Sequence, residues 1–169
     1  MKAPWGHVLL ADKGNGLFLL ELNNNPSSDI EGYFEEKFGL RAHEDTKLFR
    51  DLKIQLEEYF QGKKQKFSCN IDLSSGTDFQ KKVWKTLSKI PYGKSLSYSE
   101  VAQKMGHPGA ARAVGGACGK NPVPIIIPCH RVLGTKGDLG GFSSGLSLKQ
   151  TLLKLENIPF NFSEGRVYL

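Results

Sequence analysis

Between Gly106 and Pro128 the chain has few conformational choices. Gly106-His107-Pro108-Gly109 ends any helix that enters it, because proline lacks an amide donor and the glycines favour turn geometry. Pro122, Pro124 and Pro128 bar regular helix and interior strand from the segment that follows. Between these breaks, Ala110 to Gly119 is free to wind as a helix, and Ser99 to Met105 has helical spacing ahead of them. Two short helices joined by a tight turn outline a helix-turn-helix. Helices that read base edges project several long polar side chains. Here Ala110-Ala111-Arg112-Ala113-Val114-Gly115-Gly116-Ala117 offers Arg112 alone. A sequence-tolerant helix with one inserted arginine fits this segment, and so does a tightly packed internal helix.

Charge divides the chain near the same region. Residues 1–77 carry 10 basic and 12 acidic side chains, net −2, whereas residues 78–169 carry 13 and 5, net +8. A basic C-terminal part suits a polyanionic partner. The 169 residues suffice for one compact domain or two small ones. No apolar run approaches the roughly 20 residues of a membrane helix, and Met1 to Gly6 lacks the plan of a signal peptide. Three widely spaced cysteines (Cys69, Cys118, Cys129) favour neither a disulfide scaffold nor a zinc finger, which points to a reducing compartment.

The first part reads as a small α+β unit. Trp5 to Ala11 and Leu17 to Leu22 are predicted strands around the turn Asp12 to Gly16, followed by a polar loop, Asn23 to Ser28. Ile30 to Phe38 and Glu44 to Gln61 have helical spacing, and Phe67 to Leu73 alternates like a strand. Ser74-Ser75-Gly76 is the expected linker, so the domains are placed at residues 1–75 and 76–169. In the second, Thr77-Asp78-Phe79-Gln80 matches a capping box ahead of Val83, Trp84 and Leu87. Gly134 to Gly145 reads as a hairpin-like loop, and Leu146 to Glu156 as an amphipathic helix.

Cys129-His130 lies between Pro128 and Arg131. An unperturbed thiol is only a few per cent thiolate at neutral pH, and a nearby imidazole lowers its pKa. On extended chain the two side chains point apart, so His130 would act through a water or after a bend. Glu156 has the chemistry to orient it. Taken alone, the pair fits a buried small thiol beside a satisfied loop histidine at least as well.

Ile127-Pro128-Cys129-His130-Arg131-Val132, preceded by Arg112-Ala113-Val114-Gly115-Gly116-Ala117 and Asn121-Pro122-Val123-Pro124, resembles the O6-alkylguanine-DNA alkyltransferases, also called methylated-DNA–protein-cysteine methyltransferases. The likeness runs from about Asp78 to Glu156 with the spacing of each motif intact. It implies an N-terminal α/β domain of ribonuclease H-like topology and a C-terminal helical, winged-helix-like domain with the helix-turn-helix. It implies direct-reversal DNA repair: Cys129 accepts the alkyl group from O6 of a flipped alkylguanine, or O4 of alkylthymine, once and irreversibly. No cofactor is required.

The resemblance also implies residue roles. His130 activates Cys129 through a water, Glu156 holds His130, and Asn121 fixes the neighbouring turn. Tyr98 assists flipping and helps the guanine leave. Arg112 fills the vacated place in the base stack. Ala110, Ala111, Ala113, Gly115 and Arg131 are expected against DNA. Val132 would offer its carbonyl to the exocyclic amine, and Ser143, Phe142, Pro124 and Gly140 would line the pocket. Phe142 stands where relatives often have Tyr, which removes a hydroxyl near O6. Relatives with an N-terminal zinc use cysteines and histidines, but residues 1–77 hold only His7, His43 and Cys69, so no metal is expected. Cys69 and Cys118 are expected to be spectator thiols. The expected partner is double-stranded DNA bound through the minor groove by a monomer, in a prokaryotic cytoplasm or a nucleus, with no membrane. A non-repairing binder of alkylated DNA, a helix-turn-helix regulator and a cysteine hydrolase are the alternatives. The first lacks the acceptor cysteine, the second needs a base-reading helix, and the third a nucleophile elbow.

Overall fold

The computed structural model describes residues 2–3, 6–23, 29–45, 47–63 and 65–161. Expectations for Trp5 and for positions 24–28 lie outside the described residues. Among them, no helix is long and apolar enough to cross a membrane.

Strands β1 (Lys2–Ala3), β2 (Gly6–Asp12) and β3 (Leu17–Asn23) form an antiparallel sheet in that order. The β2–β3 hairpin closes at Gly14 and Gly16, both at positive φ. A Cβ on Gly16 would lie 2.7 Å from the Asn70 carbonyl oxygen, so only glycine fits there. Helix α1 (Ile30–Phe38) starts at an Asp29 cap and lays Phe34 and Phe38 edge-on against Phe18. Helix α2 (Arg50–Phe60) buries Leu52, Leu56 and Tyr59.

Two sequence expectations fail here for local reasons. The helix expected over Glu44 to Gln61 begins only at Arg50. The Asp45 carboxylate accepts from the Lys47 and Leu48 amides, and Phe49 takes a left-handed conformation that no α-helix continues. Phe67 to Leu73 is not a strand: one bridge joins Ile71 to Leu17. Nearby, the Gln55 side chain takes both the amide and the carbonyl of Ser68, at 2.7 and 3.3 Å, leaving that peptide no strand partner.

In the second half, α3 (Asp78–Leu87) begins with the expected capping box of Thr77 and Gln80. Its Trp84 indole donates to the Ala117 carbonyl at 2.9 Å, and a Cβ on Gly76 would meet the ring at 2.3 Å. Strand β4 (Leu96–Ser97) leads into α4 (Tyr98–Lys104), which has its own capping box from Ser97 and Glu100. After the turn comes α5 (Ala111–Gly119). Strand β5 (Val132–Leu133) pairs parallel to β4, and α6 (Leu146–Leu155) closes the fold. The Gly134 to Gly145 loop is not hairpin-like. It makes a short 3-10 turn at Thr135–Gly137, and the carbonyls of Leu139 and Gly141 accept from Lys149 instead of from a facing strand.

The two halves share one core that runs from Val8 and Leu56 to Trp84, Val114 and Leu152. The Leu20 amide of β3 donates to the Pro122 carbonyl at 2.8 Å, so the sheet abuts the proline segment directly.

Candidate active site

The proline segment folds as a tight knot. Ile125 sits at φ +73°, a strained position for a β-branched residue, and the Ile127 amide returns to the Val123 carbonyl. Asn121 fastens it: its Nδ2 donates to the Ile127 carbonyl at 2.8 Å and to Cys129 Sγ at 3.0 Å, while its Oδ1 accepts from the Val123 amide. Cys129 to Arg131 then make one 3-10 turn. That turn is the bend the sequence left open.

The three side chains of that turn are buried. His130 Nε2 meets Glu156 Oε1 at 2.8 Å. With a carboxylate there, Nε2 carries the proton and Nδ1 keeps a basic lone pair. Among the described residues, Nδ1 is buried with no hydrogen-bond partner. Burial holds the His130 pKa below its ordinary value, against the pull of Glu156. Glu156 itself is 1% exposed. Burial opposes its ionisation, but donors from His130, Arg131 and Tyr59 prevail and bring its pKa down to about 2.

Arg131 is corrected by this geometry. It does not face outward toward DNA: it is 5% exposed, with Nε and Nη2 on the Glu156 carboxylate at 2.7 and 2.9 Å and Nη1 on the Ile90 carbonyl at 2.6 Å. Tyr59, which sequence reasoning placed only on an apolar stripe, donates its hydroxyl to Glu156 Oε1 at 2.6 Å from α2, 97 residues away. Its one sequence signal is a polar tip on an otherwise apolar face.

Cys129 opens into a cavity of about 580 Å³ whose lining includes Tyr98, Arg112, Gly115, Cys118, Phe142 and Ser143. Ala111 also lines it; Ala113 is exposed and Ala110 half-buried on the same helix. Gly140, at φ +60°, is not part of the lining. It supports the wall, since a Cβ there would lie 3.0 Å from the Tyr98 hydroxyl. Two other expected pocket residues are displaced. Pro124 is buried in the knot behind Cys129, away from the lining. The Val132 side chain is in the core, and its carbonyl already accepts from Lys149 Nζ at 2.7 Å. Burial, with the two nearby thiols, pushes Tyr98 up to about 12, so its phenol keeps its proton at neutral pH. Burial raises the Cys129 thiol, while the Asn121 hydrogen bond and the Lys149 charge act the other way.

A thiol bonded to an amide, followed in the chain by an imidazole that keeps one unbonded basic nitrogen and has a carboxylate behind it, is the composition of an activated-cysteine site. The cavity beside the thiol opens at the foot of a helix-turn-helix. Comparison with known proteins makes the class specific. A family profile described as 6-O-methylguanine DNA methyltransferase, DNA binding domain, matches residues 78–158, and that family's ribonuclease-like domain matches residues 1–73. A protein of Methanosarcina acetivorans named methylated-DNA–protein-cysteine methyltransferase is 49% identical over 155 residues, covering 92% of this chain and 94% of its own. Its namesake in Mycobacterium leprae is 42% identical over 156 residues, covering 92% and 89%. The crystal structure of Mycobacterium tuberculosis OGT in complex with DNA superposes with a TM-score of 0.80 at 42% identity, covering 92% of this chain and 89% of that one. An O6-methylguanine DNA methyltransferase from Methanococcus jannaschii gives 0.61 at 28% identity, covering 99% of each chain. The chain belongs to the 6-O-methylguanine DNA methyltransferase family.

Proposed function

We propose that this protein repairs alkylated DNA by direct reversal, with Cys129 as the acceptor. The observation that supports the residue assignment is that Asn121 Nδ2 donates to Cys129 Sγ while the next residue, His130, is buried against Glu156 with its Nδ1 unbonded. The thiol proton passes to His130 Nδ1, by way of a water, and Glu156 stabilises the imidazolium that results. Sulfur attacks the alkyl carbon, the carbon–oxygen bond breaks, and the guanine leaves as an anion whose ring nitrogen accepts a hydrogen bond from the Tyr98 hydroxyl; the proton held on His130 is then released through water to neutralise that anion. The product is a thioether, which has no route back to a thiol here, so each molecule acts once. The proposed partner is double-stranded DNA carrying alkylguanine or alkylthymine, met through the minor groove by the small-residue face of α5. A monomer working in a cytoplasm or nucleus, divided at residues 75 and 76, completes the proposal.

The test is intact mass after incubation with an O6-methylguanine duplex. One added methyl group per protein, mapped to the peptide holding Cys129, is expected; unchanged mass would make the protein a binder.

Arg112 separates flipping from chemistry. It is exposed on α5 among the residues that line the cavity, and among the described residues no hydrogen bond joins it to Cys129, His130 or Tyr98. Its planar guanidinium suits the gap left in a base stack. Arg112→Ala is expected to lose about 1–3 kcal/mol of stacking compensation on duplex substrate, roughly tenfold or more in rate. Transfer from free O6-benzylguanine, which needs no flipping, should change little. Equal slowing of both substrates would make Arg112 a support of the pocket and not a finger.

A further inference from the structure

Tyr59 is fully buried on α2, a helix whose other buried residues are Leu52 and Leu56. A phenylalanine would fill that place without the cost of burying a hydroxyl. The rings of Phe67, Phe60 and Tyr92 stand around it, with centroids at 5.3, 5.7 and 6.2 Å, and they fix where the hydroxyl points. It donates to Glu156 Oε1 at 2.6 Å. The same oxygen meets His130 Nε2 at 2.8 Å and Arg131 Nη2 at 2.9 Å. A carboxylate oxygen has about two lone-pair sites, so three donors compete for this one. Oε2 takes Arg131 Nε at 2.7 Å and the Gly93 amide at 3.3 Å. Burial and the Glu156 charge push the Tyr59 phenol well above its ordinary range, so it stays a donor.

We propose that Tyr59 is a positioning residue that acts through Glu156: its hydroxyl shares the carboxylate oxygen facing His130, and so keeps that imidazole neutral and ready to take the Cys129 proton. The proposal rests on Cys129 being the acceptor and His130 its base. A carboxylate that faced His130 alone would favour the imidazolium strongly. The ring would then carry a proton on both nitrogens at rest, and Nδ1 could accept none from the thiol. A neutral donor on the same oxygen draws charge away from the His130 contact and brings no charge of its own. The other groups around the imidazole divide by sign. Burial disfavours the imidazolium most, Glu156 favours it, and Arg131 and Lys149 oppose it. Tyr92 packs beside Tyr59 and Arg131 but gives its hydroxyl to the Leu155 carbonyl. Tyr59 reaches this group from the first half of the chain, so that half sets the proton affinity of a base in the second.

The experiment compares wild type, Tyr59→Phe and a protein with a ring-fluorinated tyrosine at position 59. Phenylalanine keeps the ring and removes the donor. Fluorination makes the phenol more acidic, hence a stronger donor of nearly the same shape. Isotope-labelled histidine rings are followed by NMR against pH, with the His130 signal assigned by its loss in His130→Gln. The rate of transfer from free O6-benzylguanine is measured over the same range. Tyr59→Phe should raise the His130 inflection by about one unit, a roughly tenfold change in its proton affinity, and the acid-side inflection of the transfer profile should move with it. The fluorinated protein should move both the other way. A fold merely loosened at position 59 would slow transfer at every pH and leave the inflections in place. A Tyr59→Phe inflection that stays at the wild-type position, or falls, overturns the proposal whatever the rate does. Should Tyr59→Phe not fold, an unmoved or raised inflection in the fluorinated protein overturns it equally. Wild type that transfers nothing to Cys129, while His130 still follows the Tyr59 changes, would overturn the acceptor assignment alone.

Discussion

Cys129→Ser should eliminate alkyl transfer while duplex binding survives. The substitution is nearly isosteric, so the Asn121 amide keeps an acceptor at the position now 3.0 Å away, and the knot from Asn121 to Pro128 need not rearrange. What is lost is chemical. A serine hydroxyl is far less acidic than a thiol, and His130, its pKa held low by burial, is too weak a base to ionise it. The expected loss is at least about 10³-fold, in line with removing a nucleophile elsewhere. Neither remaining cysteine substitutes. Burial, together with Cys129, pushes Cys118 up to about 12, and burial raises Cys69, which lies outside the cavity lining. Intact mass after exposure to methylated duplex reads the result directly. A methyl group retained on the serine variant would sink the acceptor assignment. Cys69→Ser and Cys118→Ser should both still be methylated.

The second large effect is on stability. Glu156 accepts from Tyr59, His130, both reaching nitrogens of Arg131 and, at 3.3 Å, the Gly93 amide. Glu156→Gln keeps the shape but leaves the Arg131 guanidinium buried without its counter-charge. Breaking a buried pair this way costs about 3–5 kcal/mol, a large fraction of a domain's net stability. Transfer should also slow, because the imidazolium formed at His130 loses its anion. The pH dependence carries the same signature. The folded pKa of Glu156 is depressed to about 2 from 4.5, so its contribution is complete above 4.5 and is lost as pH falls toward 2. His130 is also depressed from 6.5, so unfolding takes up a proton below that pH and stability falls there too. Wild type should therefore lose stability steadily on acidification from about 6.5, and Glu156→Gln should lack the part of that slope below 4.5. Thermal melts at several pH values measure both. A variant that melts like wild type at neutral pH would mean that Glu156 does not hold the turn together.

Local signals were legible in the sequence wherever neighbours decide the outcome. The hairpin at Gly14 and Gly16, the capping box at Thr77 and the break at Gly106 to Gly109 depend on residues a few positions apart, and the folded chain contains all three. Where a distant side chain decides, the sequence misleads. Gln55 removes a strand partner from Ser68, and Lys149 draws the glycine-rich loop away from a hairpin. Periodicity cannot register either event. The site divides the same way. The order of the proline, cysteine and histidine motifs carried a family resemblance, and with it Cys129, His130 and Glu156. Arg131 looked like a DNA contact because a basic residue in a basic domain suits a polyanion; Glu156, 25 positions on, turned it inward. Tyr59 offered only a polar tip on an apolar helix stripe, and Lys149 reads as a surface lysine.

The Tyr59 hydroxyl makes the two halves of the chain interdependent. The carboxylate behind His130 takes one of its donors from a helix of the opposite half, and the β3 strand is bonded to the proline knot that precedes Cys129. The first half cannot loosen without taking a donor from Glu156 and a support from the proline knot. Such a chain melts as one cooperative unit, and it resists modular exchange. A first half grafted from a distant relative must bring a hydroxyl to the same spot, or the transplant will fold with its relay out of tune.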